Sequence, residues 1–275
     1  MLKVGLVQTC TGIDPPANAT MLASDVNRLA DQGAEVIFTP EMCGQLDSRA
    51  RRLAENGHNA EREPTLKALR AVAAERKVMI AIGSLAIATG YGRFVNRSYV
   101  IGPDGDILQQ YDKLHLFDVD LPNGETYRES KVYDAGDAVR LASLPWGKLG
   151  LTICYDLRFP QLFASLALAG AQVIAVPAAF TRQTGEAHWH VLLRARAIET
   201  GAFIVAAAQS GQHEDGRETF GHSLVIDPWG QVILDMGTEP GIATAELDLS
   251  RVDDTRARIP SLRHRRSLPH AEVAP

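Results

Sequence analysis

Short apolar runs alternate with amphipathic stretches along most of this chain. The runs at 3–8 and 34–40 are typical of buried strands, whereas the residues that follow them repeat apolar positions at helical spacing. The pattern predicts helices over 17–32 and 64–76 and a long apolar strand over 78–87. This alternation of strands and helices indicates an α/β fold.

Two turn motifs interrupt the alternation. Pro103-Asp104-Gly105 and Asp227-Pro228-Trp229-Gly230 each separate two strand-like runs, as expected for hairpins. Hairpins beside helix-alternating strands indicate a mixed sheet or two sheets in a four-layer α-β-β-α arrangement. We therefore predict one domain over 1–258 and a C-terminal tail over 259–275. The other predicted elements are helices over 160–170 and 187–200 and strands over 171–176 and 203–209.

Composition narrows the class of protein. The 275 residues carry a formal net charge of −5 and are 45% hydrophobic, which excludes nucleic acid as the expected main partner. Three cysteines without a CxxC pair are typical of a reducing compartment. We find neither a leader-like segment nor an apolar run of the roughly 18 residues that span a bilayer. We expect a cytoplasmic protein that is not bound to membrane.

Cys154 lies just after an apolar run and directly before a predicted helix. A side chain at such a strand-to-helix turn projects from the sheet, where the N–H groups that begin the helix can stabilise developing negative charge. A thiolate there would suit a nucleophile. Considered alone, however, a cysteine in an apolar run is more often a small buried hydrophobe.

Glu41 and Lys113 also follow apolar or strand-like runs. Glu41 comes directly after Val36-Ile37-Phe38-Thr39-Pro40, and Lys113 follows the second strand of the first predicted hairpin. Taken singly, each side chain is more simply a solvated loop charge. Together with Cys154 they form a carboxylate, an ammonium and a thiol at the ends of three strands, which indicates a shared site.

The segments around these three residues resemble the motifs of a known family. Phe38-Thr39-Pro40-Glu41, Tyr111-Asp112-Lys113-Leu114-His115 and Ile153-Cys154-Tyr155-Asp156-Leu157-Arg158-Phe159-Pro160 are similar, in order and spacing, to the Glu, Lys and Cys motifs of the nitrilase (carbon–nitrogen hydrolase) superfamily. The segments 185–189, 192–200, 221–223 and 227–230 resemble the branch that contains deaminated glutathione amidase and ω-amidase.

The resemblance implies an α-β-β-α sandwich that commonly dimerises through its helical layer, and we expect a homodimer or a higher homo-oligomer. It also implies hydrolysis of amides through a thioester, with neither metal nor organic cofactor. It implies that Cys154 attacks the carbonyl carbon and that Glu41 carries protons. Lys113 and the backbone N–H of Tyr155 would stabilise the oxyanion. A second glutamate that orients the lysine is predicted at Glu129.

Some assignments stay open at this stage. Glu125 is the alternative to Glu129 because the loop between Asp118 and Tyr127 cannot be aligned from one sequence. A carboxylate-bearing substrate would require cationic partners, for which Arg158, Arg182 and Arg194 are candidates. The predicted substrate-binding residues are Arg158, Phe180, Thr181, Arg182 and His188.

The sequence leaves rival interpretations of the mechanism, of whether the chain is an enzyme, and of the substrate. A Cys–His hydrolase is possible in principle because histidines 115, 188, 190, 213 and 222 could each act as a base. His188 and His190 complete no recognised metal-ligand spacing, so no metal site is predicted. The chain could instead be an inactive scaffold, although all three catalytic residue types are present. Among substrates, deaminated glutathione is favoured over α-ketoglutaramate, another aliphatic amide or a nitrile.

Overall fold

Two mixed β-sheets form the centre of the protein in a computed structural model, which describes residues 1–47, 49, 53, 55, 57–90, 92–122, 124–267, 270, 271 and 273. The strands are β1 Leu2–Gln8, β2 Val36–Phe38, β3 Met79–Gly90, β4 Arg93–Ile101, β5 Ile107–Asp112, β6 Asp118–Asp120, β7 Thr126–Arg128, β8 Tyr133–Asp134, β9 Leu141–Leu144, β10 Gly147–Leu151, β11 Val173–Ala175, β12 Phe203–Ala206, β13 Ser210–Gln212, β14 Glu218–Phe220, β15 Leu224–Ile226, β16 Val232–Asp235 and β17 Gly241–Leu247. The helices are α1 Pro15–Asp31, α2 Pro64–Arg76, α3 Pro160–Leu168, α4 Arg182–Thr200 and α5 Ser250–Arg258.

The two sheets are built alike. The first has the strand order β17-β1-β2-β3-β4-β5, with β8 beside β4, and the second has the order β16-β15-β12-β11-β10-β9. In each sheet three neighbouring strands are parallel, namely β1-β2-β3 and β10-β11-β12, and antiparallel strands flank them. Two small hairpins, β6-β7 and β13-β14, lie outside these sheets.

Side-chain alternation along β2 shows how the layers stack. Val36 and Phe38 belong to the buried cluster that includes the second sheet, whereas Ile37 belongs to the cluster formed with Leu22 of α1 and Leu69 of α2. Successive side chains of a strand point to opposite faces. The first sheet therefore packs against α1 and α2 on one face and against the second sheet on the other.

The second sheet completes the sandwich. Its strands share the first buried cluster with Phe163 of α3 and with Trp189 and Leu193 of α4. The order of layers is thus helices, sheet, sheet, helices, and the predicted four-layer α-β-β-α fold is confirmed. Within the described residues, no helix combines the length and the apolar character needed to cross a membrane.

The helix boundaries follow from their caps. α2 occupies the predicted residues, and α1 begins two residues before its predicted start because Asp14 caps it by accepting from Ala17 N. The prediction that α4 starts near 187 is wrong. α4 starts at Arg182, because the Thr181 side chain caps it by accepting from the Thr184 N–H.

Candidate active site

The turn after β10 presents Cys154 to a cavity. β10 ends at Leu151, and Cys154 begins a short 3₁₀ turn that leads to α3 at Pro160. The Cys154 backbone has φ +48°, a conformation uncommon for a residue with a side chain, and its N–H donates to Pro177 O at 2.8 Å. The cysteine therefore occupies the predicted strand-to-helix turn in a backbone conformation that the surrounding structure must hold.

Asp156 joins this turn to the segment that carries Lys113. Its fully buried carboxylate accepts from Ile153 N at 2.9 Å and from the Tyr111 hydroxyl at 2.7 Å. The other oxygen accepts from His115 N at 3.1 Å. Because the partners of Asp156 lie on both sides of Lys113 and just before Cys154, one carboxylate fixes the relative position of the lysine and the cysteine.

A tight turn after β2 places Glu41 on the same side. A Cβ at Gly83 would overlap the carbonyl oxygen of Thr39, so only glycine allows the chain to pass this close. The Gly83 N–H donates to Thr39 Oγ1 at 3.0 Å, and the Met42 N–H donates to Ser84 Oγ at 2.9 Å. Hydrogen bonds from backbone N–H groups to side-chain hydroxyls thus fix the turn on both sides of Glu41.

Lys113 lies between two carboxylates. Its Nζ is 2.9 Å from Glu41 Oε1 and 3.1 and 3.0 Å from the two oxygens of Glu129. Asn96 joins the same pair, because its Nδ2 donates to Glu41 Oε1 at 2.9 Å and to Glu129 Oε1 at 3.1 Å. Of the two candidate second glutamates, Glu129 therefore contacts the lysine, whereas Glu125 accepts from the Tyr127 hydroxyl at 3.1 Å.

Burial and neighbouring charges determine which of the three catalytic side chains carries a proton in the resting site. Burial alone would raise the pKa of Glu41, but the charge and hydrogen bond of Lys113 hold it below its ordinary value. Burial would lower the pKa of Lys113, yet Glu129 and Glu41 hold it well above the ordinary value. Burial and the charge of Glu41 raise the pKa of Cys154 well above that of a free thiol. The resting site is a thiol beside a carboxylate and an ammonium.

This arrangement can perform nucleophilic catalysis. The Cys154 thiol and Glu41 line the same cavity, close enough for the Glu41 charge to raise the pKa of the thiol, so that a base is near the proton that the nucleophile must lose. The second Glu41 oxygen accepts from Ala179 N at 2.8 Å, which fixes the carboxylate. Lys113 supplies a positive charge close to the position where a substrate oxygen would become negative.

The three side chains meet in a cavity of about 510 Å³. Its wall includes both small hairpins: Tyr127 and Arg128 from the first, and Arg217 and Thr219 from the second. Cavities of this size suit small organic ligands. Among the described residues of the wall, the cations are Lys113, Arg128 and Arg217.

The predicted substrate-binding residues divide into two groups. Phe180 and Thr181 line the cavity, as does Tyr155. Arg182 does not: it is exposed on the first turn of α4 and pairs with Glu186 at 3.0 Å and Glu218 at 2.7 Å. The expectation that Arg182 binds substrate is therefore not supported by its position.

Two further candidates lie behind the cavity wall. The Arg158 guanidinium lies 5.4 Å from the centre of the Phe180 ring, and its Nη1 is 3.3 Å from His188 Nδ1. Neither residue lines the cavity: Arg158 packs on the wall residue Phe180, and the exposed His188 contacts Arg158. Arg194 donates to Gly230 O at 2.9 Å, a contact that connects α4 to the second hairpin turn.

The histidines do not form a Cys–His pair. No histidine is among the described residues that line the cavity. His115 contacts Asp156 and stacks on Phe159, with 3.5 Å between the ring centres. His213 is buried, and its ring nitrogens lie 3.0 Å from Thr11 O and 2.7 Å from Thr219 Oγ1. Glu41 is the base that the structure places beside the thiol.

Two residues of the site were missed by sequence reasoning. Asn96 is polar and fully buried in β4, directly after the apolar residues Phe94 and Val95, and this change of residue type inside a strand was the available signal. Arg217 gave no comparable signal, because an arginine in a polar loop is ordinarily solvated. Only the pairing of β13 with β14 brings it to the cavity.

A family model and several known proteins match most of the chain. Residues 3–257 match the model of the carbon-nitrogen hydrolase family. A deaminated glutathione amidase from Synechocystis sp. is 42% identical over 238 residues, which are 85% of this chain and 87% of that protein. The human omega-amidase NIT2 is 34% identical over 265 residues, 96% of this chain and 95% of that protein.

A solved structure shows the same fold. Saccharomyces cerevisiae Nit3, a member of branch 10 of the nitrilase superfamily, superimposes with a TM-score of 0.84 at 26% identity, covering 94% of each chain. The sequence match spans both sheets and all the elements that carry the site. The chain belongs to the carbon–nitrogen hydrolase family of the nitrilase superfamily, and it is an amidase-type enzyme acting on non-peptide C–N bonds.

Proposed function

We propose that this enzyme hydrolyses the amide bond of deaminated glutathione through a thioester on Cys154. The observation that carries the proposal is that Cys154, Glu41 and Lys113 line one cavity of about 510 Å³, with Lys113 Nζ 2.9 Å from Glu41 Oε1. The name of the Synechocystis relative supports the choice of substrate.

The proposed first half-reaction forms the thioester. Cys154 Sγ attacks the amide carbon while Glu41 takes the thiol proton, and the carbonyl oxygen becomes negative beside Lys113 and the backbone N–H of Tyr155. The C–N bond then breaks, and Glu41 passes the proton to the departing nitrogen. The products of this step are a free amine and an acyl group on sulfur.

The second half-reaction uses the same groups. Glu41 takes a proton from water, whose oxygen attacks the thioester carbon, and the C–S bond breaks as Cys154 recovers its proton. The Lys113 ammonium again faces the developing oxyanion. Glu129 and Asn96 keep the lysine and Glu41 in place through both halves.

Arg217 is the proposed partner of a substrate carboxylate. Deaminated glutathione carries carboxylates at both ends, and a carboxylate in a cavity is stabilised by a guanidinium that offers two parallel N–H donors. Arg217 Nε contacts the buried Asp215 at 2.7 Å, which fixes the side chain. Arg128 is a weaker candidate because its nitrogens already contact Val119 O, Tyr127 O and Asp120.

ω-Amidase activity on α-ketoglutaramate is the second candidate, supported by the name of the human relative. The two substrates share the keto-acid half, and they differ in the leaving group: ammonia from α-ketoglutaramate and a dipeptide with its own carboxylate from deaminated glutathione. A wall that includes a second hairpin with Arg217 favours the larger leaving group.

A kinetic comparison tests the proposal. Initial rates on the two amides give kcat/KM for each, with Cys154→Ala as the control for background hydrolysis. We expect a clear preference for deaminated glutathione and no turnover by the variant. A higher kcat/KM for α-ketoglutaramate would replace deaminated glutathione as the substrate while leaving the thioester mechanism intact.

We further propose that the enzyme is a cytoplasmic homodimer. Large apolar side chains are exposed on α4, with Val191 68% and Ile198 53% accessible, and on the turn between β15 and β16, with Trp229 55% accessible; such surfaces are typical of subunit contacts. Light scattering of the intact protein should give twice the chain mass, and Val191→Asp should lower it. A monomer at micromolar concentration would contradict the dimer.

A further inference from the structure

A second cluster of polar side chains lies outside the cavity. His190 of α4, His222 before β15 and Asp235 at the end of β16 bring three potential ligand atoms within 4.8 Å of one another. His190 Nε2 is 3.0 Å from Asp235 Oδ2, and His222 Nδ1 is 2.9 and 3.2 Å from the two carboxylate oxygens. The mechanism uses none of these residues.

The cluster is held in place by its surroundings. The Gly237 N–H donates to Asp235 Oδ1 at 2.9 Å, which orients the carboxylate. His222 has φ +52° and is anchored on both sides of its peptide, because its N–H donates to Gly237 O and its carbonyl accepts from Trp189 Nε1 at 2.8 Å. Its ring also stacks on Phe220 at 4.5 Å. Binding of a ligand would therefore require little rearrangement of these side chains.

The distances suit a transition metal. In a tetrahedral zinc site the ligand atoms lie about 2.0–2.2 Å from the ion and so about 3.3 Å from each other. The observed separations between Asp235 and the two imidazoles are already close to this value. The three side chains are 24–35% exposed, so water can reach a fourth position.

We propose that His190, His222 and Asp235 bind one divalent transition-metal ion, with Zn²⁺ as the best fit. Two imidazole nitrogens and one carboxylate oxygen form a donor set that Zn²⁺ and its neighbours in the first transition row prefer over Mg²⁺ or Ca²⁺. Arg194 lies one turn along α4 from His190 and is the only arginine at that position of the helix. Its Nε–H donates to Gly230 O, so this side chain already has a partner.

The ion would join three parts of the fold. It would connect α4, the edge strand β16 and the segment before β15, next to the β13-β14 hairpin that carries Arg217 and Thr219 to the cavity wall. The sequence-based expectation of no metal site rested on the spacing of His188 and His190. Asp235 lies 45 residues beyond His190, and only the folded chain brings the two together.

Calorimetric titration of the untagged protein with zinc chloride tests the proposal. The background is Cys10→Ala/Cys154→Ala, which removes the two thiols that are not fully buried and could bind zinc themselves. We expect one Zn²⁺ per chain, and an affinity about 100-fold weaker or worse in His190→Gln and in Asp235→Asn. His188→Gln, two residues away on the same helix, is the matched control and should bind as the background does.

A thermal scan gives an independent measurement. Zinc should raise Tm in the background and in His188→Gln, because an ion that binds only the folded state stabilises it. It should not raise Tm in Asp235→Asn, whose amide keeps the shape of the carboxylate and can still accept a hydrogen bond. Absence of saturable binding at about 1 mM zinc, or binding that His190→Gln and Asp235→Asn leave unchanged, would overturn the proposal and leave a hydrogen-bonded His-Asp-His cluster.

Discussion

Replacing Glu129 with glutamine tests whether the second carboxylate positions Lys113. Glu129 Oε1 accepts from Lys113 and Asn96, and Oε2 accepts from Lys113 and from the Phe117 N–H at 2.7 Å. In Glu129→Gln, one of these two acceptors becomes an NH₂ group. Whichever way the amide is turned, that NH₂ faces two donors, so the lysine loses a partner and a new repulsion appears.

The size of the effect follows from these contacts. A hydrogen bond to a charged group contributes about 1.5–3 kcal/mol, and a lysine displaced from the oxyanion loses stabilisation of a similar order. A loss of about 3 kcal/mol in the transition state lowers kcat about 10²-fold. KM should change little, because the contacts of Glu129 are with the protein. Tm should fall by a few degrees.

Steady-state kinetics and a thermal scan measure both effects. Glu125→Gln is the matched control, since Glu125 also lines the cavity and is the same residue type, but it accepts from the Tyr127 hydroxyl, whereas Glu129 is the glutamate that accepts from Lys113 in this pair. The control should keep kcat within about threefold. Equal losses in the two variants, or an unchanged kcat in Glu129→Gln, would refute the positioning role.

Three further predictions concern the charges of the site. In the native enzyme the acid limb of the kcat/KM profile should lie below the ordinary carboxylate range, because Lys113 lowers the pKa of Glu41. In Lys113→Met the burial of Glu41 raises its pKa, so the acid limb of the residual activity should move to higher pH. An unmoved limb would exclude Glu41 as the titrating base. Iodoacetamide, read by mass spectrometry, should modify Cys154 before the other cysteines although burial raises the pKa of all three thiols, because Glu41 lies beside the Cys154 thiol and can take its proton as the sulfur attacks; slow and equal labelling of all three would favour an inactive scaffold. Arg217→Met should raise KM for deaminated glutathione about 10- to 100-fold and leave KM for a neutral short amide unchanged; an equal rise for both would exclude a carboxylate contact.

The features of the site that the sequence predicts depend on residues that are neighbours in the chain. An apolar run followed at once by Glu41, or by the Cys154 turn, is a pattern of adjacent residues, and strand ends determine where such side chains emerge. Lys113 follows the same rule at the end of β5. The hairpin turns at 103–105 and 227–230 were also readable from the sequence, because Pro, Gly and Asp have strong local preferences.

The predictions that were wrong or left open concern contacts between residues that are far apart in the sequence, or side-chain caps. The strands of the hairpin β6-β7 are only three residues long, too short for their pattern to place the loop, so the preference for Glu129 over Glu125 rests on the family resemblance alone; Glu129 is the one that contacts Lys113. The start of α4 was placed too late because the side chain of Thr181 was not recognised as a cap. Arg182 is a candidate only because a substrate carboxylate needs a cation, and the first turn of the helix carries it to the surface, where it pairs with Glu186 and Glu218.

Asp156 shows why the three strand ends form one site. Patterns in the sequence place a thiol, an ammonium and a carboxylate at strand ends, but they leave the relative positions of those ends undetermined by several ångströms. A carboxylate that accepts from Ile153, Tyr111 and His115 removes that freedom, because one rigid group then joins the cysteine turn to both sides of the lysine. Leaving any of these buried donors unpaired costs about 1–3 kcal/mol. Catalytic geometry is therefore tied to fold stability at Asp156, and a change there should disturb both, whereas Cys154→Ala should remove the chemistry and leave the fold.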